Sequence, residues 1–340
     1  THLPLPEQFT YPFHYTPHPL CLIATEEVQD YIKTQKQWEQ ELQQGKMFGV
    51  LIVQALDGEI GYLAAFSGSL AGKNLHSYFV PPVYDLLQPD GFFRIEEEKI
   101  SAINIQIGQL QEDTYYLTLK QKLAEESILS RQVITKAKAA LKSAKEAREL
   151  RRANHPNEAE QAAMIHESQH QKAEFKRLEK YWKDRIAALQ KETDDYTAKT
   201  EVLKNERKIR SAALQQKLFE QFKMLNANGE IKDLCAIFKH WPCRIRILGS
   251  QVLIDRIYFS LSGYGKHAGE CAAPKLLQYA YLHRLKPIAM AEFWWGNSPK
   301  AEIRHHGYYY PACKGKCEPI LKHMLQGLDV EPNPLSNDLH

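Results

Sequence analysis

Three cysteines stand close together late in the chain. Cys271 ends the string His267-Ala-Gly-Glu270-Cys271, and Cys313 and Cys317 lie in Pro311-Ala-Cys313-Lys-Gly-Lys-Cys317. Thiolates are soft, strong zinc ligands, and two placed four residues apart can share one face of a helical turn. A third thiolate at another helix start, with His267 or a water, completes four-coordination. The spacing therefore points to zinc on Cys271, Cys313, Cys317 and His267, against the plainer alternative of buried free thiols. Glu292 sits inside an apolar run and needs a partner if buried, for which Lys275 or Arg304 would serve. Phe293, Trp294 and Trp295 in the same run read as strand core, with base stacking as the alternative. Tyr308, Tyr309 and Tyr310 follow His305-His306-Gly307 and read as an exposed loop.

The elements that position these residues follow from glycine and proline. All 17 glycines fall within residues 45–108 or 229–327, and Pro156 is the only proline between Gln109 and Asn228. Glycine and proline cost a helix about 1 and 3 kcal/mol relative to alanine. A long segment without them, rich in Ala, Lys, Glu, Gln and Leu, is therefore helical. Ile103, Ile107, Leu110 and Leu117 fit a heptad seam, and Phe175, Trp182, Leu189, Tyr196 and Leu203 recur every seven residues. Residues three further on, Arg185, Glu192 and Lys199, make poor seam partners. One good position per heptad favours an antiparallel pair over a parallel homodimer. The hinge falls at Asn154-His155-Pro156-Asn157, with Pro156 in a first helical turn.

The flanks read as globular. Phe48-Gly-Val-Leu-Ile-Val53 is a strand, Asp57-Gly58 a hairpin turn, and residues 60–66 the return strand. Residues 218–225 close the second helical arm, and Asn226-Ala-Asn-Gly229 ends it. Residues 244–248 and 252–259 form another strand pair. Residues 272–285 are a helix, 288–295 a buried strand and 318–325 a final helix. The fold class is thus an α/β (α+β) globular domain, residues 1–100 and 229–330, interrupted by a long antiparallel helical coiled-coil hairpin over 101–228. Residues 331–340 are a linker. Two separate small domains are the alternative.

Composition narrows the class. With 340 residues, 44% hydrophobic and 25% charged, the chain can bury a core. A net charge of +3 is too small to argue nucleic-acid binding by itself. No run of eighteen apolar residues implies a membrane span, and no signal peptide is visible. Six cysteines in a chain of this length do not make a disulfide scaffold, so a reduced, cytoplasmic protein is expected.

Two resemblances bear on function. The cysteine strings resemble those of the zinc deaminase superfamily, which place a His or Cys ligand and a nearby Glu at one helix start and Pro-Cys-x-x-Cys at another. Here Ala273 stands where the acid is wanted, Glu270 precedes Cys271, and the second pair is one residue wider. That resemblance implies a degenerate, non-catalytic relative. A broader resemblance is carried by Gly45-Lys-Met-Phe-Gly-Val-Leu51, Gly61-Tyr-Leu-Ala-Ala-Phe-Ser-Gly68, Phe79-Val-Pro-Pro-Val-Tyr-Asp85 and Asp90-Gly-Phe-Phe93. Its later strings are Gly269-Glu-Cys-Ala-Ala-Pro-Lys-Leu-Leu277, Met290-Ala-Glu-Phe-Trp-Trp-Gly296 and Tyr310-Pro-Ala-Cys313. Together they resemble the amino-terminal extension of some bacterial RluA-family pseudouridine synthases; residues 241–262 have no counterpart.

That resemblance implies an RNA-associated portion whose catalytic domain, carrying His-Arg-Leu-Asp, lies beyond His340. The first residue, which is not Met, and the end at Asn337-Asp-Leu-His340 suit a fragment. The local string His283-Arg284-Leu285-Lys286 has Lys in place of the nucleophilic Asp and reads as a helix terminus, so no catalytic residue is assigned. Residues 101–225 hold 24 Lys and Arg against 18 Asp and Glu, a net of +6. Arg148, Arg151 and Arg152 near the hinge, and Arg207, Lys208 and Arg210 near the base, are candidate contacts to ribosomal or transfer RNA phosphates. The alternative is a solvated face of charges paired four apart. A zinc-dependent deaminase and a coiled-coil adaptor, including a homodimer through the coil, are the competing readings.

Overall fold

The computed structural model describes residues 3–239, 269–300 and 302–337. It is a mixture of helix and sheet of the α+β kind. The chain divides into two compact units, Thr1–Glu96 with Ala212–His340, and Glu97–Ser211. Among the described residues no helix is long and apolar enough to cross a membrane. The predicted strands at 244–248 and 252–259 lie outside the described residues.

The first unit is built on a three-stranded antiparallel sheet in the order β2-β1-β5, with β1 at Lys46–Gln54, β2 at Ile60–Phe66 and β5 at Lys286–Trp295. The first two come from one flank of the long helical excursion and the third from the other. The sheet is therefore one structure made by both flanks. Alternate residues of β1 feed two cores. Phe48, Val50 and Ile52 pack with Cys21, Ala24, Val28 and Ile32 of helix α1 (Pro19–Thr34). Leu51 and Val53 face the other way, into a core with Leu276 and Leu277 of α7 (Ala272–Leu282) and Ile320 and Leu321 of α8 (Cys317–Met324). Burial on both faces explains why β1 reads as an unbroken apolar run.

Helix α1 went unread in the sequence, although His18 caps it, Pro19 opens it, and its apolar residues keep a helical spacing. A five-residue helix, α2 (Glu39–Gln43), leads into β1. Helix α7 stops at Leu282, three residues short of expectation. Arg284 is left-handed at φ 56°, and Leu285 N–H reaches back to the Ala280 carbonyl at 2.8 Å. This closing pattern is a Schellman motif with Arg where Gly is usual. The string His283-Arg284-Leu285-Lys286 is thus a helix terminus followed by the first residue of β5.

The second unit contains the greater part of α3 (Phe92–Gln111), all of α4 (Thr114–Ala153) and the bulk of α5 (Glu158–Gln221). The first predicted arm is interrupted at Glu112-Asp113, where the Asp113 carboxylate accepts from Tyr115 N–H at 2.7 Å and caps α4. That break takes Leu117 off the Ile103–Ile107 seam, leaving it exposed while Ile103 and Ile107 are buried. The predicted hinge is the non-helical link between α4 and α5. Asn157, not Pro156, governs the second start: its side chain accepts from Glu160 N–H at 2.9 Å, and Glu160 accepts from Asn157 N–H at 2.9 Å.

Side chains of α4 and α5 pair along their length. Tyr115 donates to Glu192 at 2.9 Å, Lys138 lies 3.9 Å from Glu179, and Arg148 lies 3.2 Å from Glu167. Partner numbers fall along α5 as they rise along α4. The residues of α5 turned inward lie four, not three, beyond the apolar series. Thr193 and Thr200 are buried and Ile186 is half-buried, in place of the expected Glu192, Lys199 and Arg185. Both threonines return their hydroxyls to their own helix, at the carbonyls of Leu189 and Tyr196.

The second arm also ends earlier than its pattern suggests. Phe222 and Met224 are buried while Lys223 between them is exposed, an alternation of period two. Lys223–Leu225 is accordingly a short strand, β3, paired antiparallel with β4 (Ile231–Asp233), and Asn226-Ala-Asn-Gly229 is the turn between them. A short helix, α6 (Leu234–Phe238), follows.

Candidate thiol centre

Close packing between α7 and the sheet brings the chemistry-bearing residues together. Gly49 of β1 faces α7, and a Cβ there would come within 3.1 Å of the Ala272 methyl and 3.2 Å of Leu276. The small residues Gly49, Ala272 and Ala273 let the first turn of α7 sit against β1 beside Glu292, which pairs with Gly49 across the sheet. Cys271 is the residue that caps α7, and Cys317 is the first residue of α8. The two cysteine strings therefore stand at two helix starts, as their sequence suggested.

Cys317 is buried, and its thiol feels those of both Cys271 and Cys313. Cys313 is exposed, and its sulfur accepts the Lys316 N–H at 3.4 Å. Hydrogen bonding from Cys317, then backbone donors, brings the Cys313 thiol down to about 5. Hydrogen bonds to Cys271 and Cys313, together with burial, drive Cys317 well above the ordinary thiol range.

Among the described residues no three His, Cys, Asp or Glu side chains gather as a group able to hold a metal ion. His267, the fourth predicted ligand, lies outside the described residues.

Glu292 is buried. One of its carboxylate oxygens accepts the Ala273 N–H at 3.3 Å, and burial pushes the carboxyl up to about 7. Position 273 thus has a carboxylate from the neighbouring strand on its backbone N–H. Neither partner expected from the sequence is bonded to it. Lys275 is buried with its ammonium on the carbonyls of Phe66 and Gly68, at 2.9 and 3.1 Å. Arg304 pairs with Glu302 at 2.8 Å and lies over the rings of Trp294 and Tyr310, acting on Glu292 only through its field. Tyr15 completes the surroundings, accepting the Glu292 N–H at 2.8 Å and donating to the Tyr310 carbonyl at 3.0 Å.

Of the aromatic run, Phe293 is core, while Trp294 and Trp295 are partly exposed at the strand end, where Trp295 packs against His306. Tyr308 is exposed as expected; Tyr309 and Tyr310 are half-buried.

The arginine candidates divide. Arg148 is buried, its guanidinium on Glu167 and Gln171, so it is a structural cation of the α4–α5 pair and does not face solvent phosphates. Arg151 joins the same Glu167 at 2.8 Å, Arg207 bonds to Asn104 at 3.1 Å, and Arg210 pairs with Glu206 at 2.9 Å. Arg152 and Lys208 are exposed. A guanidinium four residues from an acid, on a helix that also faces another helix, is drawn to the nearer carboxylate. That competition does not show in a count of net charge.

No protein-family model matches the chain, and neither a curated protein nor a solved structure matches it.

Proposed function

We propose that this chain is the non-catalytic, RNA-associated part of an RluA-type pseudouridine synthase, with uridine isomerisation done by a domain that the chain does not contain. The supporting observation is where the resembling strings fall. Gly45–Leu51 enters β1, Gly61–Gly68 spans β2, Gly269–Leu277 opens α7, Met290–Gly296 ends β5, and Tyr310–Cys313 is the cysteine loop. Strings far apart in sequence are one contiguous body: the sheet, its covering helix and the cysteine loop. A resemblance spread over unrelated surface loops would carry less weight.

In this reading α4 and α5 form an antiparallel coiled-coil hairpin that interrupts the α/β domain and offers its outer face to structured ribosomal or transfer RNA. Backbone phosphates would be met by cations outside the helix–helix seam, Arg152 and Lys208 first, with Arg151 reaching from its shared carboxylate. Arg148 has no part in it. The test is fluorescence anisotropy of the full chain with a labelled ribosomal RNA stem-loop across a salt series. Replacing Arg151, Arg152 and Lys208 together by Glu should weaken binding at least about tenfold and flatten the salt slope by about three. Unchanged affinity and slope would remove the arm as an RNA contact.

A further inference from the structure

The end of β5 that carries Trp295 borders a pocket far from the chemistry of the cysteines. Its volume is about 590 Å³, within the range of about 300–1,000 Å³ usual for small-ligand sites. One wall comes from the end of α1, the short turn Lys36–Trp38 and α2; the other comes from Trp295, Gly296, Asn297 and His306. Backbone contacts fix the spacing of the walls. Asn297 N–H reaches the Gln43 carbonyl at 3.0 Å, and Gly296, at φ 107°, sits where a Cβ would overlap the Leu42 carbonyl. His306 packs on Trp295 with ring centroids 4.1 Å apart and accepts the Gly296 N–H on Nδ1 at 3.0 Å. Its Nε2 therefore carries the hydrogen and is left as a donor. Of the two lysines, Lys33 is paired with Asp30 at 2.8 Å, while Lys36 has no partner among the described residues.

We infer that this pocket binds a single ribonucleotide, with the base on Trp295 and the phosphate on Lys36. An indole face is a stacking platform for any base. Lys36, Glu39 and Gln43 follow one another at intervals of three and four residues, which puts them on one face of the helical wall, and all three line the pocket. Their order suits phosphate, ribose and base. The unpartnered ammonium of Lys36 meets the phosphate. Glu39 would repel a phosphate, but its carboxylate accepts from a ribose 2′-hydroxyl. Gln43 and Asn297 present amides that both donate and accept, as the edge of a base requires, and His306 adds the Nε2 donor. The same chemistry takes a free ribonucleotide or one nucleotide splayed out of an RNA strand. The pocket lies wholly within the α/β unit, so it stands whether or not the helical arm meets RNA.

The test is calorimetric titration of the full chain with adenosine 5′-monophosphate, a five-nucleotide oligoadenylate and inorganic phosphate. The first two should bind, and phosphate alone far more weakly. Trp295→Leu should weaken both at least about fivefold through lost stacking, and Trp295→Phe, which keeps a ring, should recover much of the loss. Lys36→Glu changes an exposed side chain, so it keeps the question open if a Trp295 variant folds poorly. It should weaken both ligands and flatten the salt slope of the oligomer by about one. Equal affinity for monophosphate and oligomer assigns the pocket to a free ribonucleotide. Tighter binding of the oligomer that these substitutions remove assigns it to a nucleotide of RNA. No binding of either at millimolar concentration, or binding that survives both Trp295→Leu and Lys36→Glu, would overturn the inference. So would inorganic phosphate or the 2′-deoxy monophosphate binding as tightly as the ribonucleotide. The monophosphate is too small to involve the arm, so its failure to bind would tell against the pocket and not against the arm.

Discussion

Glu292 shows what one buried charge does to the molecule. Its carboxyl stands at about 7 against an ordinary 4.5, because burial raises it more than the Ala273 N–H and the field of Arg304 lower it. A folded-state value above the unfolded one means that the native protein binds the proton more tightly. The associated stability is fully present below about pH 4.5 and is lost as pH rises through about 7. At 1.36 kcal/mol per pH unit, the loss is about 3 kcal/mol across that window. Urea unfolding from pH 5 to pH 8 should show this decline in the natural protein. Glu292→Gln keeps an oxygen for Ala273 and should flatten the profile; a slope unchanged by the substitution would show that another group titrates. The sequence marked Glu292 as an acid out of place but named the wrong partners. A short range of residues does not reveal that Lys275 has two backbone carbonyls within reach, or that Ala273 brings an amide from another element.

Among the elements, Gly49 is the narrow point. Gly49→Val would drive a branched side chain into Ala272 and Leu276, already at 3.1 and 3.2 Å from a Cβ at that position. The expected cost is about 1–3 kcal/mol as α7 is pushed off the sheet. Urea midpoints measure it, and no loss of stability would mean that α7 can shift freely. The helix–sheet core was largely legible, because β1, β2, β5, α7 and α8 each carry a period or a run that admits one element type. The seam of α5 was legible only in part. A residue repeated every seven can be partnered three or four places on, and the polar Thr193 and Thr200 hid the true series behind the expected Glu192 and Lys199. What selects them is the opposing helix, whose face cannot be read from α5 alone. The cysteines were visible as a cluster, but their burial, with Cys317 buried and Cys313 exposed, depends on how α8 packs.

For the molecule as a whole, the decisive feature is that β5 pairs with β1 across the entire helical excursion. Within the α/β unit, the Lys217 ammonium lies 4.4 Å from the centre of the Phe92 ring, so the points where the excursion leaves and re-enters are close. Joining Glu96 to Ala212 by a short Gly-Ser linker should therefore leave a folded α/β unit, with a cooperative urea transition and dispersed amide resonances. A molten product would mean that this unit needs the helices to hold its shape. Removing the excursion roughly halves the loop between Gln54 and Lys286, which changes closure entropy by only about 0.6 kcal/mol. The equilibrium barely registers the insertion, but synthesis does. At about 5–20 residues per second, β1 emerges from the ribosome ten seconds or more before β5 exists to cover its open edge. Until then that apolar strand, with one row of backbone groups unpaired, is a template for the wrong neighbour. Chains halted within the helices would carry that bare edge permanently, which makes premature termination there a route to aggregation and gives holding chaperones a defined segment to shield.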